Sequence, residues 1–136
     1  MKKLSILFAA FSVLFLVSCG KYEDGPGFSL RSKEARLAGT WTFEKVTWDG
    51  IDVAVVYEDY TWDFTKSGSF TETEIDFGQI YTYVGTWALT SNDENITITD
   101  SDGDSRTYKI LRLTNSEFWF SQTSNGSTDE YHLKAK

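Results

Sequence analysis

Few of the side chains that carry chemistry are present in this 136-residue chain: it has one cysteine, Cys19, and one histidine, His132. Nucleophilic catalysis asks for a serine, cysteine or threonine beside a base, usually histidine, held by a third group. His132 falls in an alternating stretch near the C-terminus, where it reads as an ordinary strand residue. Carboxylates offer more. Glu72 and Glu74 are two apart, so a strand would carry both on one face, and Glu58 on a neighbouring strand could join them. Paired carboxylates serve hydrolases; the competing reading is an acidic strip facing solvent. Asp100-Ser101-Asp102-Gly103-Asp104 begins like a calcium loop, but Ser105 and Leu111 stand where that loop needs glycine and glutamate. Asp102-Gly103 serves a hairpin turn without metal. The expectation is therefore no catalytic residue, no metal and no cofactor.

Cys19 points elsewhere. Lys2 and Lys3 give a positive start, Leu4 to Val17 is apolar except for Ser5 and Ser12, and Ser18 is small. Positive, apolar and small, in that order, is the pattern of a secretory signal peptide, here residues 1–18. A membrane span needs roughly 20 apolar residues, and this run is shorter. Leu16-Val17-Ser18-Cys19 resembles the lipobox of bacterial lipoproteins. The resemblance implies that the Cys19 sulfur receives a diacylglycerol and that the chain is cut before it. No second cysteine competes for that sulfur. Several buried acyl chains, at about 0.8 kcal/mol per CH₂, would then hold the chain on a membrane. Residues 19–33, with Gly25-Pro26-Gly27, read as a flexible tether. Lys21, Glu23 and Asp24 resemble the short signal that sends lipoproteins of Bacteroides-like bacteria to the cell surface. The expected location is the outer membrane, lipid-anchored.

Size and charge bound what remains. Residues 34–136 make one domain of ordinary size. The chain carries −7, and losing Lys2 and Lys3 makes it two units more negative. An acidic surface without basic runs repels phosphates, which argues against nucleic acid and against direct binding to anionic headgroups.

The elements that would position any site are strands. From residue 40 onward, short alternating segments rich in Thr, Tyr, Phe, Trp, Ile and Val are broken by turn residues. Strands are expected near 40–48, 51–57, 59–65, 69–76, 80–90, 94–99, 105–113, 116–123 and 128–134. Asp49-Gly50, Asp102-Gly103 and Asn125-Gly126 read as two-residue turns, with weaker signals at Ser67-Gly68 and Asn92-Asp93. Leu30 to Ala38 is a candidate helix started by Ser29 or Ser32. Tyr60, Trp62 and Phe64 alternate inward, as do Trp41 and Phe43. Val46 and Trp48 follow after a slip at Glu44-Lys45 that reads as a β-bulge. Tyr81, Tyr83, Trp87 and Leu89 share a face, with Gly85 where a side chain would be crowded. Eight or nine such strands fit an all-β, antiparallel up-and-down barrel. A two-sheet sandwich is the alternative.

Gly39-Thr40-Trp41 after a short helix resembles the opening of the lipocalin family. The order that follows resembles the lipocalin-like domains of small Bacteroides-type lipoproteins. It comprises a DG turn, Tyr60-Thr61-Trp62-Asp63-Phe64, a second Gly-Thr-Trp at Gly85-Thr86-Trp87, and the step from Leu113-Thr114 to Phe118. The likeness covers residues 34–136. It departs in one respect: lipocalins have an arginine near the last strand packing on the first tryptophan, and here no arginine follows Arg112. The two Gly-Thr-Trp triplets are two strand starts under similar packing demands, not a repeat.

Two functions follow. In the first, the barrel is a non-catalytic container in which Trp62, Phe64, Tyr81, Tyr83, Trp87, Phe118 and Phe120 line a pocket for a small apolar ligand. In the second, the core is filled and the outer face binds a protein partner or a glycan through exposed aromatics, for which Tyr57, Tyr108 and Trp119 are candidates whose strand faces the alternation does not fix. A cavity favours the first; a filled barrel with an exposed aromatic patch favours the second. A monomer is expected in either case.

Overall fold

The computed structural model describes residues 30–136. Cys19, the expected signal peptide and tether residues 19–29 lie outside the described residues. The expected helix over 30–38 is shorter: α1 runs Lys33–Leu37, capped by the Ser32 hydroxyl, which accepts the Ala35 amide at 3.1 Å. Leu37 is its buried side chain, and the Leu37 carbonyl accepts the Trp41 indole N–H at 2.8 Å. The helix thereby seals one end of the domain.

Nine strands follow: β1 Gly39–Trp48, β2 Ile51–Asp52, β3 Tyr60–Phe64, β4 Ser69–Asp76, β5 Gln79–Thr90, β6 Asn95–Asp100, β7 Ser105–Leu113, β8 Glu117–Ser124 and β9 Ser127–Ala135. All pairings are antiparallel. From β3 to β9 each strand pairs with the next, while β1 pairs with β3 along its first residues and with two-residue β2 at its far end. A ladder from Trp41–Ala135 to Trp48–Asp129 joins β1 to β9. That ladder closes β1 and β3–β9 into an eight-stranded up-and-down barrel and excludes the open sandwich. Ring closure and the core cluster both fall within residues 30–136. The register slips between Phe43 and Lys45, leaving Glu44 as the extra residue of the anticipated bulge. A second slip, at Leu111, was not anticipated.

Two local expectations need correction. The expected strand 51–57 is only β2 followed by a 3-10 turn, Ala54–Tyr57. The Asp52 carboxylate accepts the Ala54 amide at 2.9 Å, which turns the chain out of the ladder. Tyr57 then packs on Phe43 and Tyr60, with ring centroids 4.9 and 5.2 Å away, and so reaches the barrel rim rather than a strand. Asp102-Gly103 is not a two-residue turn either. The Asp100 amide bonds the Asp104 carbonyl, and only Gly103 has positive φ, so the loop is three residues long. Asp49-Gly50 and Asn125-Gly126 do place both residues at positive φ. So does Phe77-Gly78 between β4 and β5, a turn the sequence did not announce: phenylalanine is a poor choice at φ +46°.

The barrel has two unlike halves. Toward α1 it is solid. Trp41, Phe118 and Phe120 are fully buried, with Phe64, Trp87 and Leu133 packed among them. Each such side chain contributes roughly 1.5–3 kcal/mol by leaving water. The other end, reached by the turns β1–β2, β4–β5, β6–β7 and β8–β9, is open.

Candidate functional site

Strand register dictates what faces the open half. Glu72 sits between Trp62 and Tyr83, and Glu74 between Tyr60 and Tyr81, on adjoining strands. Since Trp62 points inward, so do its cross-strand neighbours. The two glutamates therefore belong to the interior wall and are not a solvent-facing strip; both are only partly exposed. Across the barrel, Arg106 pairs with Ile98 and Tyr108 with Ile96 on the same inner face.

These residues enclose a cavity of about 260 Å³, lined by Tyr60, Trp62, Phe70, Glu72, Glu74, Tyr83, Val84, Ile98, Asp100, Asp104, Arg106 and Tyr108. It is small beside the roughly 300–1,000 Å³ of ordinary ligand clefts, which suits a compact guest. Its floor is aromatic: the Trp62 ring stacks on Phe120 at 5.3 Å and meets Phe70 edge-on at 5.3 Å. A side opening exists as well. β5 pairs with β6 only from Gly85 onward, so along residues 79–84 its second edge has no strand partner among the described residues. Val84 on one side of this gap and Asp100 and Asp104 on the other all line the cavity. Gly85 marks where the gap begins. A Cβ there would meet the Thr99 carbonyl oxygen at 2.2 Å, the crowding anticipated at this position.

The electrostatics follow from burial. The Glu72 carboxyl is pushed above its ordinary range chiefly by desolvation; the Trp62 indole N–H it accepts and the Arg106 charge oppose that shift, and Glu74 adds to it. Burial likewise raises the Tyr108 hydroxyl, against a hydrogen bond from Arg106. Tyr60 is raised by desolvation and then by its bond to Glu74. These phenols stay protonated at neutral pH and can donate.

Of the seven residues expected to line a pocket, Trp62 and Tyr83 do so. Phe64, Trp87, Phe118 and Phe120 lie in the solid half, and Tyr81 sits on the exposed β4–β5 hairpin. The polar lining was missed, although period-two alternation from Phe70 to Glu72 and Glu74, and from Ile110 back to Tyr108 and Arg106, carried the signal. Of the three aromatics whose faces the sequence left open, Tyr108 is buried in the interior, Tyr57 closes the rim, and Trp119 is on the outer wall. There Trp119 stacks on His132 at 4.1 Å and lies under the Arg112 guanidinium at 5.2 Å. His132 also bonds Glu130 and is remote from the cavity in register, facing out between Lys45 and Trp119. In the Asp100–Asp104 loop the Asp100 carboxylate accepts the amides of Asp102 and Asp104, both at 3.0 Å, the job of a turn-former. Among the described residues no group of three or more acids, histidines or cysteines is placed to hold a metal.

A family model described as a lipocalin-like domain matches residues 37–120. No curated protein matches the chain.

Proposed function

Because the chain belongs to the lipocalin-like domain family, we propose that it is a non-catalytic binding protein that holds one small, largely apolar molecule in the open half of its barrel. One observation carries the reading: a cavity of about 260 Å³ stands where eight strands could have packed solid, floored by Trp62 and Phe70 and rimmed by hydroxyls. The solid half fixes the strands that shape it. Trp62, Phe70, Tyr83, Ile98 and Tyr108 would hold the apolar body of the guest, while Tyr60 and Tyr83 orient its polar end. The proposal extends to location. Leu16-Val17-Ser18-Cys19 supports acylation at Cys19 and attachment to the outer membrane, with the barrel on a tether. α1 and the end of β9 lie at the solid end, which supports an anchoring that would turn the cavity mouth away from the membrane.

Native mass spectrometry of the chain from Pro26 onward, purified gently from its own kind of host, tests the container. The expected result is an adduct of low mass that organic extraction removes; a mass that stays bare with every small ligand offered overturns it. Cys19→Ala should abolish lipid labelling and membrane fractionation, and unchanged labelling would remove the anchor.

A second reading has its own observation. The β4–β5 hairpin leaves Ile75, Phe77, Ile80, Tyr81, Tyr83 and Val84 exposed, with Phe77 at 99%. A partner protein docking on this hairpin would explain why they are apolar. In that case Phe77→Ser with Ile80→Ser removes the partner and leaves cavity binding intact.

A further inference from the structure

The cavity walls carry charge that an apolar guest alone does not require. Four carboxylates line it, Glu72, Glu74, Asp100 and Asp104, against a single cation, Arg106. The ion pairs among the described residues lie elsewhere, at Lys33–Asp93, Arg112–Glu117, His132–Glu130 and Lys134–Glu44. Glu72 is held by the indole N–H of Trp62, a neutral donor. Asp100 is engaged by backbone amides. Arg106 is exposed, so solvent screens it and it offsets only part of the negative field. Interspersed with these carboxylates are Tyr60, Trp62, Phe70, Tyr83 and Tyr108, whose ring faces are the negative ends of their quadrupoles.

Resting on the container reading above, we propose that the guest is a small organic cation: a protonated amine or quaternary ammonium on an aromatic or aliphatic body. The body lies on Trp62 and Phe70, and the cationic head sits among Glu72, Glu74 and the tyrosine rings. A carboxylate-bearing guest such as a fatty acid meets the same walls with the wrong sign. It would bring its own charge against four acids, Glu72 among them desolvated, with Arg106 as the one favourable contact. The cavity's small volume points the same way, since it suits a compact amine better than a long acyl chain. The gap between β5 and the β6–β7 hairpin supplies the entrance, flanked by Asp100 and Asp104, which would draw a cation in and repel an anion.

Three probes of nearly one shape separate charge from size: phenethylamine, 2-phenylethanol and phenylacetate. They are titrated calorimetrically into the protein lacking residues 1–18 and carrying Cys19→Ser, and the neutral dye N-phenyl-1-naphthylamine reports on the cavity itself. Phenethylamine is expected to bind at least tenfold more tightly than phenylacetate, about 1.4 kcal/mol, and more tightly than the alcohol. Glu72→Gln with Glu74→Gln should shrink that ratio to within about twofold. Arg106→Gln should instead strengthen amine binding about threefold; a loss of folding cannot mimic that gain, and circular dichroism checks that each variant is folded. If the dye binds but the amine is no better than the alcohol or the acid, the cation inference is wrong and the container stands. If neither dye nor any probe binds, the container reading fails and takes this inference with it. The charge series on the protein with Glu72, Glu74 and Arg106 intact decides the matter even where a variant does not fold.

Discussion

Gly85→Ala is the most direct test of how the barrel is held together at its mouth. Gly85 pairs with Phe70 on β4 and Asp100 on β6, at the point where β5 parts from β6. Its φ is ordinary, so the substitution adds no backbone strain, and the whole effect is steric. The new Cβ would lie 2.2 Å from the Thr99 carbonyl oxygen and 3.1 Å from the Asp100 Cα. Carbon approaches a carbonyl oxygen in sheets at roughly 3.3 Å, so β5 and β6 must separate by on the order of 1 Å. The obstructing atoms are backbone and cannot rotate away. Overpacking of this kind costs about 1–3 kcal/mol, and each stretched rung forfeits about 0.5–1.5 kcal/mol. The lower entropy of an unfolded alanine returns about 0.4–1 kcal/mol. The net expectation is a loss of about 2 kcal/mol, which lowers Tm by about 8–15 °C in a domain of this size. Gly126→Ala is the control: its Cβ meets nothing, and only φ +82° opposes it, at about 1 kcal/mol. Urea denaturation of both variants measures the difference. Should Gly85→Ala unfold within about 0.5 kcal/mol of the unaltered protein, or prove milder than Gly126→Ala, the seam is not packed as described. A widened gap should also loosen binding of the neutral dye.

Two further expectations concern the rim. Burial raises the Glu72 carboxyl, so the stability it contributes is fully present below the ordinary carboxylate range and is lost as pH rises through its higher folded value. Glu72→Gln keeps an acceptor for the Trp62 indole and removes the buried charge. It should therefore be more stable than the parent at pH 7, by a few tenths to about 1 kcal/mol once partial exposure is allowed for. The advantage should vanish on acidification to pH 3; an advantage that persists there would assign the effect to something other than the charge. Phe77→Asn places a residue that tolerates the left-handed region at φ +46°, and should gain about 0.5–1 kcal/mol in chemical denaturation. No gain would mean that the Phe77 ring is engaged rather than free.

Much of the architecture was legible because a strand announces itself locally. Alternation in YTWDF places Tyr60, Trp62 and Phe64 on one face whatever surrounds them, and the slip at Glu44-Lys45 shows a bulge because it breaks that alternation. Asp49-Gly50 and Asn125-Gly126 encode their turns through the backbone freedom of the two residues. Where a side chain competes with the backbone, composition misleads. Asp52 captures the Ala54 amide and turns an apparent strand into a 3-10 bend, and Asp100 does the same to the Asp102-Gly103 loop.

The site divides along the same line. Sequence alone told which side chains share a face: Glu72 with Glu74, Tyr81 with Tyr83, Trp62 with Phe64. It could not say how far along the barrel each lies, because depth depends on the stagger between strands, a property of the closed ring. Closure by β1 and β9 sends Phe64, Trp87, Phe118 and Phe120 into the solid half and leaves Trp62 as the floor of a cavity. It also turns Glu72 and Glu74 from a supposed surface strip into part of the inner wall, opposite Arg106. Periodicity decided inside from outside, a matter of neighbouring residues. Filled or hollow was decided only when eight strands met, because volume belongs to the ring and to no single strand.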